Sequence, residues 1–184
     1  MTKKHSIRHM VLAAFCLAIC IMLPIVFGSV PVVNRRMLPM HIGVFLCAYV
    51  ADRRWAAAVG FIAPLLKFVL TGVPVIYPTA IAMAFELATY GFICGLLNGL
   101  LPKKPGFIYV SLIAAMIAGR AVSGLVNMIL LGMQGQAYTW QTFIAASVIN
   151  AWPGIVMHIV LIPILIMSLR RAKLIDQPHH HDHG

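Results

Sequence analysis

Residues 76–101, IYPTAIAMAFELATYGFICGLLNGLL, hold a single charge, Glu86, in an apolar run long enough to cross a bilayer. A spanning helix needs about 20 apolar residues, rising ~1.5 Å each. Five further runs follow the same pattern: 10–28, 38–51, 55–71, 106–133 and 142–169. The second is short, so it either starts earlier or does not fully span. The last two are long, which predicts tilt or irregular ends. Prolines at 24, 64, 153 and 163 fall inside runs and predict kinks.

Composition agrees. Hydrophobic residues make up 61% and charged residues 10%, and the mean hydropathy is +0.94. A water-soluble domain of this size has no use for so much apolar surface. The expected fold is an all-α integral membrane bundle of six transmembrane helices. Residues 1–176 form one transmembrane domain, and the polar, His-rich tail 177–184 is expected to be disordered. The basic start resembles a signal peptide but lacks a clean small-residue cleavage site, so the first run reads as a retained helix.

The net charge of +10 comes from 14 Lys and Arg against 4 Asp and Glu. These bases flank apolar runs, and no nucleic-acid-binding motif accompanies them, so nucleic acid is not an expected partner. Lys3, Lys4, Arg8, Arg53, Arg54, Lys103, Lys104, Arg170, Arg171 and Lys173 lie on one side; Arg35 and Arg36 lie on the other. Basic connectors stay cytoplasmic, which places both termini inside. Connectors 29–37, 72–75 and 134–141 are then external. Tyr138 and Trp140, in the last of these, fit an interfacial belt or a lid over a ligand.

An ionised group in hydrocarbon costs at least ~2.5–3.5 kcal/mol on insertion scales, so it usually faces a cavity or a partner. Lys67, Glu86 and Arg120 are the three such groups. Counting along the helices puts Glu86 about 15 Å below the outer end of its span, and Lys67 and Arg120 about 18–21 Å above the cytoplasm. His41 then begins span two near the outer surface, Asn127 ends span five, and Asn150 and Trp152 lie in the outer half of span six. His158 falls in the inner half as a packing residue.

Thr79, Met83, Glu86 and Tyr90 form one helical stripe; Ala84, Ala88, Gly91, Gly95 and Gly99 form the opposite one, suited to close helix contact. Two readings stand. Either Glu86 pairs with Arg120 or Lys67 to fix the packing, or these groups line an outward-facing pocket. The excess of cations, with Arg35 above, favours an anionic ligand. It would pair with Arg120 and stack near Trp152, Trp140 or Tyr90. Cys16, Cys20, Cys47 and Cys94 all lie in apolar runs and read as packed free thiols. No metal site, cofactor or catalytic constellation is expected, and no P-loop is present for ATP hydrolysis.

Leu38-Pro39-Met40-His41-Ile42, Leu70-Thr71-Gly72-Val73-Pro74, Phe85-Glu86-Leu87-Ala88-Thr89-Tyr90-Gly91 and Ala118-Gly119-Arg120, in that order, carry a resemblance over nearly the whole chain. The sequence resembles the substrate-binding S components of energy-coupling factor (ECF) vitamin transporters. That resemblance implies a pocket near the outer face, capped by the first, third and fifth connectors. It implies partners as well: an ECF transmembrane coupling subunit and two ATPase subunits in a prokaryotic cell membrane. It also implies an Ala-xxx-Ala docking face on the first helix, matched by Ala14 and Ala18, for which ordinary packing within the bundle is the competing reading. Val75 stands where many relatives have a second proline, so ligand identity does not carry over.

The expected function is capture of a vitamin-like substrate, with a small anionic vitamin such as pantothenate favoured by charge. The substrate-binding residues would be Arg120, Glu86, Lys67, His41, Tyr90, Asn127, Asn150, Trp152 and Arg35. The alternative is a stand-alone secondary transporter or channel for a small solute, although Glu86 is the only acid within the spans and no internal repeat is visible. An intramembrane enzyme fits least, because His41 and His158 would lie near opposite ends of the bilayer.

Overall fold

The computed structural model describes residues 3–27, 39–149, 151–172 and 175. Arg35, Arg36, Asn150 and the 177–184 tail lie outside the described residues. The helices are α1 (Lys3–Val26), α2 (Met40–Val50), α3 (Arg53–Thr71), α4 (Ile81–Leu100, led in by the turn Ile76–Ala80), α5 (Pro105–Gly132), α6 (Trp140–Ile144) and α7 (Trp152–Arg171). Among the described residues five helical segments are long and apolar enough to span a membrane: Ile7–Val26, Arg53–Thr71, Ile76–Leu100, Pro105–Gly132 and Trp140–Arg171. The sixth, α2, has 11 residues and covers about 16 Å, roughly half a hydrocarbon core.

Local chemistry explains the boundaries. α3 stops where Gly72 turns left-handed at φ 71°, its N–H donating to the Phe68 carbonyl. The Thr71 hydroxyl, 2.9 Å from the Lys67 carbonyl, reinforces the stop. Pro105 stands in the first turn of α5, where its missing N–H is not needed. Arg170 and Arg171 occupy the last turn of α7 and complement its dipole.

The last span differs from expectation. It is built from α6, a wide turn Ala145–Ile149, and α7 starting afresh at Trp152. Pro153 therefore opens a helix rather than kinking one. Pro24, Pro64 and Pro163 do lie within helices, fully buried.

α4 is the hub, packed between α3 and α5 with α2 beside it, while α7 touches α2 and α5. Small residues permit this. A Cβ on Gly91 would lie 2.4 Å from the Ala56 carbonyl oxygen, and one on Gly60 would lie 2.3 Å from that of Leu87. Any larger side chain would push α3 and α4 apart. Gly99, at the end of the small stripe, faces open space instead. The outward faces are apolar: Phe15 is 65% exposed, Ile117 67% and Leu100 72%, as lipid contact demands. All four cysteines are buried free thiols.

Near the cytoplasmic end, a small neutral cluster joins α2 to α5. The Tyr49 hydroxyl lies 2.7 Å from Ser111 Oγ and donates to the Ile108 carbonyl at 3.1 Å. Ser111 Oγ in turn donates to the same carbonyl at 3.0 Å. The two hydroxyl protons are shared among these three contacts, so each polar atom of the cluster keeps a partner, as buried polar groups require.

Candidate functional site

The ionic residues of α4 and α5 meet. Arg120 Nη1 lies 3.2 Å from Glu86 Oε1, and the Tyr90 hydroxyl donates to the same oxygen at 2.6 Å. Glu86 and Tyr90 sit one turn apart on α4, so one helix face supplies both the acid and its hydroxyl partner. Arg120 reaches them because Gly119 has no side chain. A Cβ there would lie 2.2 Å from the Tyr90 ring, so the glycine lets that ring press against the α5 backbone. The Ala118-Gly119-Arg120 sequence is thus a contact point followed by a charge.

Around this pair lies an aromatic and imidazole cluster. His41 is 5.5 Å from Tyr90 by ring centroid and 5.6 Å from His158. Phe45 stacks on Tyr90 at 5.3 Å and meets His158 at 5.7 Å. The expected depth of His41, and with it the separation of the two histidines, needs correction. His41 is not near the outer surface, and the two histidines are not at opposite ends of the bilayer. α2 is short and begins at Met40, so His41 rides only about 14 Å above its inner end. His158 sits about 18 Å above Arg170 on α7, which brings the rings level. Phe45 is the part of the cluster that sequence reasoning missed, while His158, expected as a packing residue, joins it. The available signal was the i, i+4 spacing of His41 and Phe45 on an unusually short span.

Lys67 is buried at 8% exposure on the interior face of α3 and makes no ion pair among the described residues. Ala56 packs on Gly91 and Gly60 on Leu87. This antiparallel register puts Lys67 level with Ala80, about 9 Å outward of Glu86. A lysine thus stands above the Glu86–Arg120 pair.

The other expected residues separate. The Asn127 side chain donates back to the Ser123 carbonyl of its own helix at 2.9 Å. Trp152 is 58% exposed and does not line the groove described below, while Tyr90 is enclosed in the cluster and has no free face for a ligand. Ala14 and Ala18 are exposed on α1, which overturns packing within the bundle as the reason for that pair. Arg35 and Asn150 lie outside the described residues.

Guanidinium geometry leaves Arg120 with capacity. It carries five N–H donors; Nη1 is committed to Glu86, while Nε is buried without a hydrogen-bond partner among the described residues. A buried orphan donor costs about 1–3 kcal/mol, so its position favours an arriving acceptor.

Beside Arg120 an open groove of about 550 Å³ runs along the outer half of α5. Ala121, Gly124 and Met128 form one wall, and Tyr138, Trp140 and Phe143 the other. Phe143 fills the space above Gly124, where a Cβ would lie 2.4 Å from its ring, and it stacks on Trp140 at 5.3 Å. Lys67, Glu86 and Arg120 do not line this groove themselves; Ala121 and Gly124 flank Arg120 on its helix. Burial first, and then the negative charge of Glu86, push the Tyr138 phenol above its ordinary range. The Tyr77 hydroxyl, donating to the Leu130 carbonyl, ties the turn before α4 to the outer end of α5.

Among the described residues no group of three or more His, Cys, Asp or Glu is placed to hold a metal ion. No curated protein and no solved structure matches the chain. A family model described as "ECF transporter, substrate-specific component" matches residues 8–166, which reaches from the first helix into the last and takes in the whole ionic cluster. With its apolar helices and this match, the chain is a multi-pass membrane protein belonging to the family of ECF transporter substrate-specific components.

Proposed function

We propose that the chain captures a small, amphipathic, anionic micronutrient from the outside of a prokaryotic cell membrane and presents it to the coupling and ATPase subunits of an ECF importer. The observation that carries the reading is Arg120, held in place by Glu86 and Tyr90 with Nε unsatisfied, beside an outer-half groove of about 550 Å³. That volume lies within the range of about 300–1,000 Å³ typical of small-molecule pockets. The ligand's apolar body lies along Phe143 and Trp140, and its carboxylate turns toward Arg120, with Lys67 adding positive potential from above. A small anionic vitamin such as pantothenate meets these requirements.

The site residues then fall into roles. Arg120 binds the anion, and Glu86 and Tyr90 position the guanidinium. His41 and Phe45 buttress Tyr90. Ala14 and Ala18 offer the coupling subunit a flat, close approach on the outward face of α1. Stand-alone secondary transport fits less well, because Glu86, the acid that proton coupling would use, is engaged by Arg120 and Tyr90.

The test is native mass spectrometry of the gently purified full chain. A small acid of vitamin size should travel with the wild type and be lost from Arg120→Lys, which keeps the charge but not the fork. Retention of the same molecule by both proteins would remove Arg120 from the site. Solute transport by the chain alone in liposomes, without ATPase partners, would favour the secondary-transporter reading.

A further inference from the structure

We infer that the groove between α5 and α6 selects an acid with a wholly apolar body, an alkyl or aryl carboxylic acid, over an acid that carries polar groups along its length. On the proposed function Arg120 takes the ligand's carboxylate; the inference rests on that reading and specifies the body attached to it.

The walls call for carbon. Ala121, Gly124, Leu125 and Met128 of α5 face Trp140 and Phe143 of α6. Among these six side chains only the Trp140 indole carries a hydrogen-bonding group. The rest of the lining, Tyr138 and Thr139, belongs to the outer connector. Thr139 Oγ1 is already engaged there, 2.9 Å from Thr142 Oγ1 and accepting from the Thr142 N–H at 3.3 Å. A ligand amide or hydroxyl seated along α5 would give up water and gain no partner. Each such orphan weakens binding roughly 5- to 150-fold.

The open side calls for carbon as well. Leu125 and Met128 are more than half exposed, as are Ile117 and Ile129 on the same helix and Trp140 opposite. The groove is therefore a recess in the lipid-facing surface of α5. Counted along the helix, it runs from about 17 Å to about 6 Å below Gly132, within the outer half of a ~30 Å hydrocarbon core. A body seated there has protein on one side and acyl chains on the other, and polar groups on its outward side would meet hydrocarbon. Arg120 stands one residue beyond the inner end, so the carboxylate points inward and the body extends outward for about 10 Å. Pantothenate meets the charge requirement, but its amide and hydroxyls would lie along this stretch.

The experiment measures saturable, one-to-one binding to the full chain in phosphatidylcholine nanodiscs by equilibrium dialysis, with empty nanodiscs as the baseline. The probes are hexanoate, heptanoate, octanoate and pantothenate, with octan-1-ol as the uncharged control. Affinity should rise about fourfold for each added methylene. Octanoate should bind more tightly than pantothenate, octan-1-ol should bind far more weakly, and Arg120→Lys should lose octanoate. Met128→Trp, which fills the outer end of the recess, should weaken octanoate and leave hexanoate at wild-type affinity, the retained hexanoate showing that the variant is folded. Tighter binding of pantothenate than of octanoate, lost in Arg120→Lys, would overturn the inference and leave Arg120 as the anion site. An affinity that does not change with chain length, or no saturable alkanoate binding at all, would overturn it too. Equal binding of octanoate by wild type and Arg120→Lys would overturn the proposed role of Arg120, and the inference with it.

Discussion

Two buried polar clusters cross this bundle, and they are built on opposite plans. At the cytoplasmic end, Tyr49, Ser111 and the Ile108 carbonyl satisfy one another with neutral groups. At mid-depth, Glu86, Arg120 and Tyr90 bring together two charges and a hydroxyl, and Arg120 Nε is left over. A closed neutral cluster fastens helices at little electrostatic risk. An open ionic one costs desolvation and repays it only if something else completes it. On the proposed function the first plan serves packing and the second binding, and substitutions can separate them.

The largest effect should follow Arg120→Ala. It strands Glu86 without its cation, which should cost about 3–5 kcal/mol of stability along with ligand binding. Glu86→Gln/Arg120→Gln should recover most of that stability while leaving binding lost; thermal unfolding and a ligand titration on the same samples measure both. Tyr90→Phe comes next. Losing a hydrogen bond to a charged group costs about 1.5–3 kcal/mol, and affinity should drop because the guanidinium loses its positioning. Tyr49→Phe should cost only about 0.5–1.5 kcal/mol, and ligand affinity should not move. An equal affinity loss in Tyr49→Phe and Tyr90→Phe would erase the distinction between the two clusters. Smallest in stability is Ala14→Leu on the exposed face of α1, expected within about 0.5 kcal/mol of wild type. Its effect should appear in co-purification with the coupling and ATPase subunits.

How much of this was legible in the sequence depends on the kind of interaction. Glu86 and Arg120 stood out because a charge in an apolar run is costly wherever it lies. The Gly91 and Gly95 stripe was legible because close helix approach needs small residues at fixed spacing. His41 was misplaced because the outer end of its span was set at the outer surface, whereas α2, 11 residues long and measured from its inner end, reaches only about mid-depth. There His41 meets His158 and the imidazole cluster follows. Of the groove, only Tyr138 and Trp140 were legible, as aromatics of an outer connector able to cover a ligand. It depends on the last span being assembled from α6, a wide turn and α7, which swings Trp140 and Phe143 across α5. At a proline within an apolar run, a fresh helix start and a kink look alike in the sequence.

The most direct measurement is calorimetric titration of the small acid that co-purifies with the chain, into wild type and into Glu86→Gln/Arg120→Gln, once both are shown to unfold at similar temperatures. The double variant keeps the bundle and removes the fork, so affinity should fall at least about 30-fold, the scale of losing one partner of a buried charged contact. An affinity equal to wild type would mean that the anion is held elsewhere and that the Glu86–Arg120 pair only holds helices together.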